Sequence, residues 1–297
     1  MSKLGLHCNY WNGTGAEREP LRLLELTAQS GANVMDFSTS LALLMSSQER
    51  CEYAAKAKAM GISLTLNGGI SDAEISHTDL KMRQAGLQKC RQAIQAAAEL
   101  NCHIWSGVIY AKWLSMPQTA FTPDQRTQMW KQAVSSVQEL CDFAAPLGIN
   151  ICIEIVNRFE AYLINTAADG IRFIADIERP NIKLLLDVFH MNIEEDSICD
   201  SLSQTLHSDC LGHFHISESN RRLPGLAKTD INWSDIINTL KTGNYNGTII
   251  LESMVLSQAP AAHSFRTWRN MTDRPTISGL TQDAKKSIDF LNHLLQC

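Results

Sequence analysis

The chain has 297 residues, 44% of them hydrophobic and 19% charged, which is the composition of a globular protein able to bury roughly three quarters of its unfolded surface. Its formal net charge of −5 gives no electrostatic reason to expect nucleic acid or an anionic membrane as a partner. Nine cysteines, an odd number with no C-x-x-C spacing, read as reduced thiols rather than a disulfide framework; with neither a signal-peptide-like start nor an apolar run of about 18 residues, the expected location is the cytoplasm.

Taken in chain order, apolar strand-like runs alternate with helical segments. A strand at 4–8 is followed by a helix at 18–29 carrying Leu21, Leu24 and Leu26 among charges, and a strand at 33–37 by an Ala-rich helix at 47–59. Strand 62–66 leads to the long helix 79–100, and strand 103–109 to helix 124–144, where Pro123-Asp124 marks the start. Strand 150–156, with Cys152 packed in its apolar run, precedes a helix at 165–177 opened by an Asn165-Thr166 cap. Strands 182–186, 211–215 and 247–251 are paired with helices 201–207, 233–241 and 282–295. Gly61 and Gly148 stand where helices end before the next strand, matching C′ glycines.

Eight strand-plus-helix units in alternation predict a parallel sheet closing into a single-domain (β/α)8 TIM barrel over residues 1–297. An open doubly wound sheet is the rival, but neither G-x-G-x-x-G nor a P-loop follows the first strand. No linker composition divides the chain. The polar stretch 254–280 is long for a loop and is expected to form a lid or short helices.

A barrel of this kind places its active site at the C-terminal ends of its strands. Those ends hold Glu154, Asp187, His213 with His215, and Glu252, on four consecutive strands that are otherwise apolar. A single such residue is usually solvated or ion-paired. Four together carry a heavy desolvation cost that a divalent cation would offset. One imidazole with three carboxylates suits Mn²⁺, Mg²⁺, Co²⁺ or Zn²⁺, with Mn²⁺ fitting the oxygen-rich set well. Only one of His213 and His215 is expected to face the site, and strand reading leaves the choice open.

The stretches 153–160 (IEIVNRFE), 163–168 (LINTAA), 186–196 (LDVFHMNIEED) and 212–225 (GHFHISESNRRLPG), with Trp268-Arg269 after the last strand, resemble the ketose 3-epimerases. These are the D-tagatose and D-psicose 3-epimerase group of the xylose-isomerase-like TIM barrels. The resemblance is dense from about 146 to 272 and looser before, resting there on Tyr10-Trp11, Gly107 and Trp113. It implies Glu154, Asp187, His215 and Glu252 as metal ligands, His215 being chosen over His213, and Glu160, His190, Arg221 and Trp113 as substrate-binding residues. Without it, Glu160 could pair with Arg158, and Arg221 could be a surface charge. The sequence departs from the family at Ser253, where Pro is usual, at Asp36, where Glu is common, in the 9–15 loop, at Asn67-Gly68-Gly69 and in the slightly longer 198–210 connection. Those departures bear on the far end of the sugar.

The activity implied is metal-dependent epimerisation at C3 of a free ketose such as D-tagatose, D-fructose/D-psicose or L-ribulose. Glu154 and Glu252 would act as the acid/base pair through a cis-enediolate stabilised by the metal, with Mn²⁺ first and Co²⁺ or Mg²⁺ as alternatives. Such chemistry needs one carboxyl ionised and the other protonated, facing each other across the mouth, or a donor proton travelling through the substrate hydroxyls. An aldose–ketose isomerase on the same barrel is the close rival; a non-catalytic sugar sensor and a multi-metal abasic-site endonuclease are more distant ones. Analogy implies a homodimer or homotetramer.

Overall fold

The computed structural model describes residues 2–70, 74–115, 117 and 119–296; the terminal residues Met1 and Cys297 of the expected 1–297 domain lie outside them. Eight parallel strands, β1 (Lys3–His7), β2 (Val34–Ser38), β3 (Ser63–Asn67), β4 (Ile104–Gly107), β5 (Asn150–Ile155), β6 (Ile182–Asp187), β7 (Leu211–Ile216) and β8 (Thr248–Leu251), pair in sequence order and close into a barrel. Ten α-helices among the described residues surround or cap it: α1 (Pro20–Gln29), α2 (Thr39–Leu44), α3 (Ser47–Ala59), α4 (Leu80–Glu99), α5 (Pro123–Ala144), α6 (Ala167–Ile177), α7 (Val188–Glu194), α8 (Ile198–His207), α9 (Trp233–Thr242) and α10 (Ile277–Gln296). The fold is a single-domain (β/α)8 barrel, as the alternation predicts. No helix among the described residues is long and apolar enough to cross a membrane.

Local chemistry accounts for most helix ends. Thr122 caps α5, accepting from the Gln125 N–H at 3.2 Å while the Gln125 side chain returns a bond to the Thr122 N–H at 2.8 Å, and Pro123 fills the first helical position. Thr166 caps α6 through the Asp169 N–H. Gly61 and Gly148 are left-handed, at φ 71° and 69°. Several elements differ from the sequence expectation. The fourth strand is shorter than 103–109, because the chain leaves the sheet at Gly107, whose φ is 133°. The 254–280 stretch holds turns and no helix before α10 begins at Ile277, five residues ahead of the expected start at 282. Two short helices, α2 and α7, follow β2 and β6 directly; neither spans the eleven or so residues over which amphipathic periodicity becomes readable.

Strand alternation divides the side chains. Outward residues such as Leu6, Phe37, Leu66, Ile153, Leu186, Phe214 and Leu251 are fully buried against the helices and form the main core. Inward residues fill the barrel. In the sheet register Gly5 lies beside both Val34 and Ile250, Cys152 beside Ser106, and Leu185 beside His213, so the lower interior is mainly small and apolar. Above it the inward positions turn polar: His7, Asp36, Thr65, Glu154, Asp187, His215 and Glu252 are all buried. The described cysteines are unpaired, and Cys8, Cys90, Cys102, Cys141, Cys152 and Cys210 are buried, as expected for packing thiols.

The β6–β7 register shifts between Leu184 and Leu185, whose partners are Leu211 and His213, so Gly212 is an extra residue on β7. A β-carbon there would stand 2.5 Å from the Lys183 Cβ and 2.7 Å from the Cys152 Sγ. Gly212→Ala is therefore expected to destabilise the protein by about 1–3 kcal/mol through overpacking. Urea denaturation measures the loss, and a stability equal to wild type would show that the barrel yields at this point.

Candidate active site

Each expected ligand is carried to the mouth of the barrel by a strand end. Glu154 is the last inward residue of β5, Asp187 ends β6, His215 lies one residue before the end of β7, and Glu252 follows β8. Glu154, Asp187, His215 and Glu252 each offer a ligand atom, and these atoms lie within 4.8 Å of one another with all four residues buried. The structure thus brings together the four residues singled out in the sequence. Glu154 and Glu252 share this one cluster.

The charges in the cluster are unevenly satisfied. Arg221 donates from Nη1 to Asp187 Oδ2 at 2.5 Å and to Glu252 Oε2 at 3.0 Å, and its guanidinium stacks 4.0 Å over the Phe189 ring. Asp187 also accepts from the Phe189 N–H at 2.9 Å and so caps α7. Burial works against the charge on Glu252, but Arg221 and His215 prevail and hold its carboxyl well below the usual carboxylate range. Glu154 has no comparable partner. Burial, with Glu252 and Asp187 close by, pushes its carboxyl well above that range.

Both histidines of β7 point into the barrel, contrary to the expectation that only one would. Residues two apart on a strand share a face, and the two rings differ in depth, not direction. His215 Nδ1 lies 3.5 Å from Glu252 Oε2 and Nε2 lies 3.1 Å from Asp36 Oδ2, yet neither nitrogen makes an aligned hydrogen bond. His213, deeper, binds Thr248 Oγ1 through Nδ1 at 2.6 Å, with Nε2 3.7 Å from Asp36 Oδ1. Burial depresses His213 despite Asp36 beside it, whereas Glu252 and Asp36 outweigh burial and raise His215 well above the ordinary histidine value. Asp36 is itself held ionised: burial opposes the charge, but His213 and His215 carry its pKa far down, and Thr65 donates to Oδ1 at 2.6 Å. The sequence flags Asp36 only as a family departure; its proximity to His215 emerges from register across the barrel.

The remaining expected residues border the same cavity, of about 120 Å³. Glu160 accepts from Trp113 Nε1 at 2.9 Å and from Asn157 Nδ2 at 3.3 Å. It does not pair with Arg158, which bonds to Glu194 at 2.7 Å outside the cavity. Asn157 Oδ1 accepts from the Phe159 N–H, so its amide is oriented with Nδ2 donating to His190 Nδ1 at 2.7 Å. His190 Nε2 lies 3.2 Å from Arg221 Nη2 and 3.8 Å from Glu154 Oε1, and burial lowers this imidazole's pKa. Arg221 is 8% exposed, so it is no surface charge, and its backbone is left-handed at φ 62°. Trp113 lies 5.5 Å from Phe265, a residue of the 254–276 segment that also lines the cavity and that no sequence pattern marks. Trp268, in the Trp-Arg pair, is 67% exposed and outside the cavity lining.

The donor set fits a divalent cation. Three buried carboxylates face one guanidinium, Glu154 lacks a counter-charge, and His215 keeps an unsatisfied Nδ1 beside Glu252 while Asp36 backs its other nitrogen. Oxygen and imidazole donors together suit Mn²⁺, Co²⁺ or Mg²⁺.

The sequence model of the family described as xylose isomerase-like TIM barrel matches residues 24–271. The chain is 32% identical to the D-psicose 3-epimerase of Agrobacterium fabrum over 99% of both chains. It is 28% identical to the L-ribulose 3-epimerase of Mesorhizobium japonicum, over 91% of this chain and 88% of that one. Among solved structures, D-psicose 3-epimerase with D-tagatose from Clostridium cellulolyticum is similar at a TM-score of 0.91 and 29% identity, covering 99% of this chain and 100% of that one.

Added Mn²⁺ is expected to raise the melting temperature of the metal-stripped protein. Asp36→Asn is expected to weaken Mn²⁺ binding by about ten- to a hundredfold, because the ligand it backs becomes less basic and less fixed. Titration calorimetry reads the affinity, and an unchanged Kd would remove Asp36 from this role.

Proposed function

The chain belongs to the ketose 3-epimerases of the xylose isomerase-like TIM barrel family, enzymes of the isomerase class, and from that premise we propose that it inverts C3 of a free ketose with the help of a divalent cation. D-tagatose, D-fructose with D-psicose, and L-ribulose are the candidate substrates. The observation that carries this reading is the meeting of Glu154 and Glu252, from strands three apart in the barrel, in one buried cluster at the cavity.

Inverting a carbon beside a carbonyl requires a proton to leave one face and another to arrive at the opposite face. The two carboxyls differ in environment: Arg221 and His215 hold Glu252 well below the usual carboxylate range, whereas burial and the neighbouring carboxylates push Glu154 above it. Glu252 takes the C3 proton, Glu154 returns one to the other face, and the roles exchange for the reverse reaction. A divalent cation, Mn²⁺ before Co²⁺ or Mg²⁺, held by Glu154, Asp187, His215 and Glu252 would act as a Lewis acid toward the carbonyl and C3 oxygens. His190 and Arg221, in contact with each other beside Glu154, hold the oxygen atoms flanking C3, and Glu160, fixed by Trp113 and Asn157, accepts a substrate hydroxyl. Trp113 and Phe265 close over the sugar and limit water. By family analogy, a homodimer or homotetramer is part of the proposal.

Incubating free ketoses with the Mn²⁺-loaded protein in D₂O tests the reaction directly. Deuterium is expected at C3 of a C3-epimeric product; label at C1 or C2 with an aldose product would replace epimerisation by aldose–ketose isomerisation. Glu154→Gln and Glu252→Gln are each expected to lower kcat by about 10²- to 10⁴-fold. Retained turnover in either variant would take that carboxyl out of the proton path.

A further inference from the structure

The wall of the cavity away from Glu160, His190 and Arg221 is built from the ends of β1, β2 and β3, and it is polar. His7, Asn9, Ser38, Ser40 and Asn67 line it. His7 is 3% exposed and its ring centroid is 6.4 Å from that of His215, so it stands beside the cluster on the β1 side. Its Nδ1 accepts from the Asn9 N–H at 3.1 Å. That leaves the neutral ring's proton on Nε2, and among the described residues Nε2 has no hydrogen-bond partner. Asn67, 5% exposed, is oriented by its neighbours: Ser106 gives its hydroxyl proton to the Leu66 carbonyl, so Ser106 Oγ must accept from Asn67 Nδ2 at 3.0 Å. Asn67 Oδ1 is left as an acceptor with no partner among the described residues.

A donor and an acceptor on nearly buried side chains, neither with a hydrogen-bond partner among the described residues, face one cavity, His7 beside the cluster and Asn67 further round the wall. A substrate must supply what satisfies them, because leaving buried polar groups unpaired is costly. A hydroxyl, which both accepts and donates, matches the pair. A phosphate does not. Of the cavity-lining residues only Arg221 is a permanent cation; it is committed to Asp187 and Glu252, and Asn67 Oδ1 would meet a phosphate oxygen lone pair to lone pair. We propose that His7 and Asn67 are specificity-determining residues that bind the hydroxyls of the ketose beyond C3, selecting an unphosphorylated chain and rejecting deoxygenated ones. The inference rests on the epimerase reading and names the substrate feature that the site reads.

The experiment compares the ketohexose that the Mn²⁺-loaded enzyme turns over best with its 4-, 5- and 6-deoxy analogues and its 6-phosphate. Both kcat/KM and calorimetric binding are measured. Wild type is expected to lose at least about tenfold in kcat/KM on one or more deoxy analogues and on the phosphate. His7→Phe or Asn67→Leu is expected to abolish the discrimination at the hydroxyl each contacts, and His7→Gln, which keeps a donor, to restore part of it. Equal kcat/KM for parent and deoxy sugars in wild type, which requires no variant to fold, overturns the proposal, as does a wild-type discrimination ratio in both His7→Phe and Asn67→Leu. Discrimination in binding without turnover of any ketose would refute the epimerase reading and leave this one standing; absence of sugar binding would refute both.

Discussion

Glu154, Asp187 and Glu252 place three buried carboxylates around one point at the barrel mouth, and the surrounding structure is arranged to tolerate their repulsion. Arg221 is the main internal remedy, since one guanidinium nitrogen serves both Asp187 and Glu252. Its position is maintained against backbone preference. A left-handed non-glycine residue costs about 1–2 kcal/mol, and here the turn is tied by the Arg221 N–H to the Glu218 carbonyl at 2.8 Å and by the Met254 N–H to the Arg221 carbonyl at 3.1 Å. Glu218 is itself buried and accepts from the Gly225 N–H, the Thr229 hydroxyl and Trp233 Nε1. The loop after β7 is thus a rigid arm that delivers one positive charge. That charge covers two carboxylates and leaves Glu154 without a comparable counter-charge, a deficit that a bound cation would offset.

Alternation on the strands converts this constraint into a layered barrel. The lower interior is mainly apolar, its polar residues Ser106 and His213 being bonded to Leu66 and Thr248, while the upper interior is polar because ligands reach it from the mouth. The bulge at Gly212 joins the two layers. It resets the register of β7 against β6 so that Leu185 pairs with His213 and Asp187 with His215, which sets His215 level with Asp187. Asp36, entering from β2, then supports the rings of both histidines from the far side of the barrel.

Much of this was legible in the sequence, and the limits are physical. Eight apolar runs separated by helices fix the barrel, and a carboxylate interrupting an apolar strand is visible at Glu154 because burial makes it conspicuous. Asp187 and Glu252 are visible for the same reason. The contribution of Asp36 is not, because its partners lie about 180 residues away and meet it only through closure of the sheet. His213 and His215 could not be ranked by strand period, which puts them on one face; depth decides, and depth depends on a one-residue bulge. Asn157 and Phe265 went unnoticed since an amide after a strand and an aromatic in an irregular segment have no distinguishing pattern. The short α2 and α7 carry too few residues to show periodicity.

The two sides of the cavity answer to different requirements. On the side of β5 to β8 the groups around the cluster are committed to one another, Trp113 to Glu160, Asn157 to His190, Arg221 to Asp187 and Glu252, while His215 and Glu154 within it are not. Such a network holds its geometry before a ligand arrives, which suits proton transfer, where small displacements are expensive. On the side of β1 to β3 the bonds within the wall orient His7 and Asn67 yet leave one edge of each uncommitted. Groups that are fixed but unpaired discriminate, because only the right substituent completes them. The departures from family pattern at Asn67-Gly68-Gly69 and in the 9–15 loop fall on this second wall, whereas the Glu154, Asp187, His215 and Glu252 set keeps to it. The two arcs meet, since Asp36 of β2 backs His215 and His7 of β1 stands beside Glu252, so a change along β1 to β3 that spares the cluster is confined to Asn67 and the loops around it.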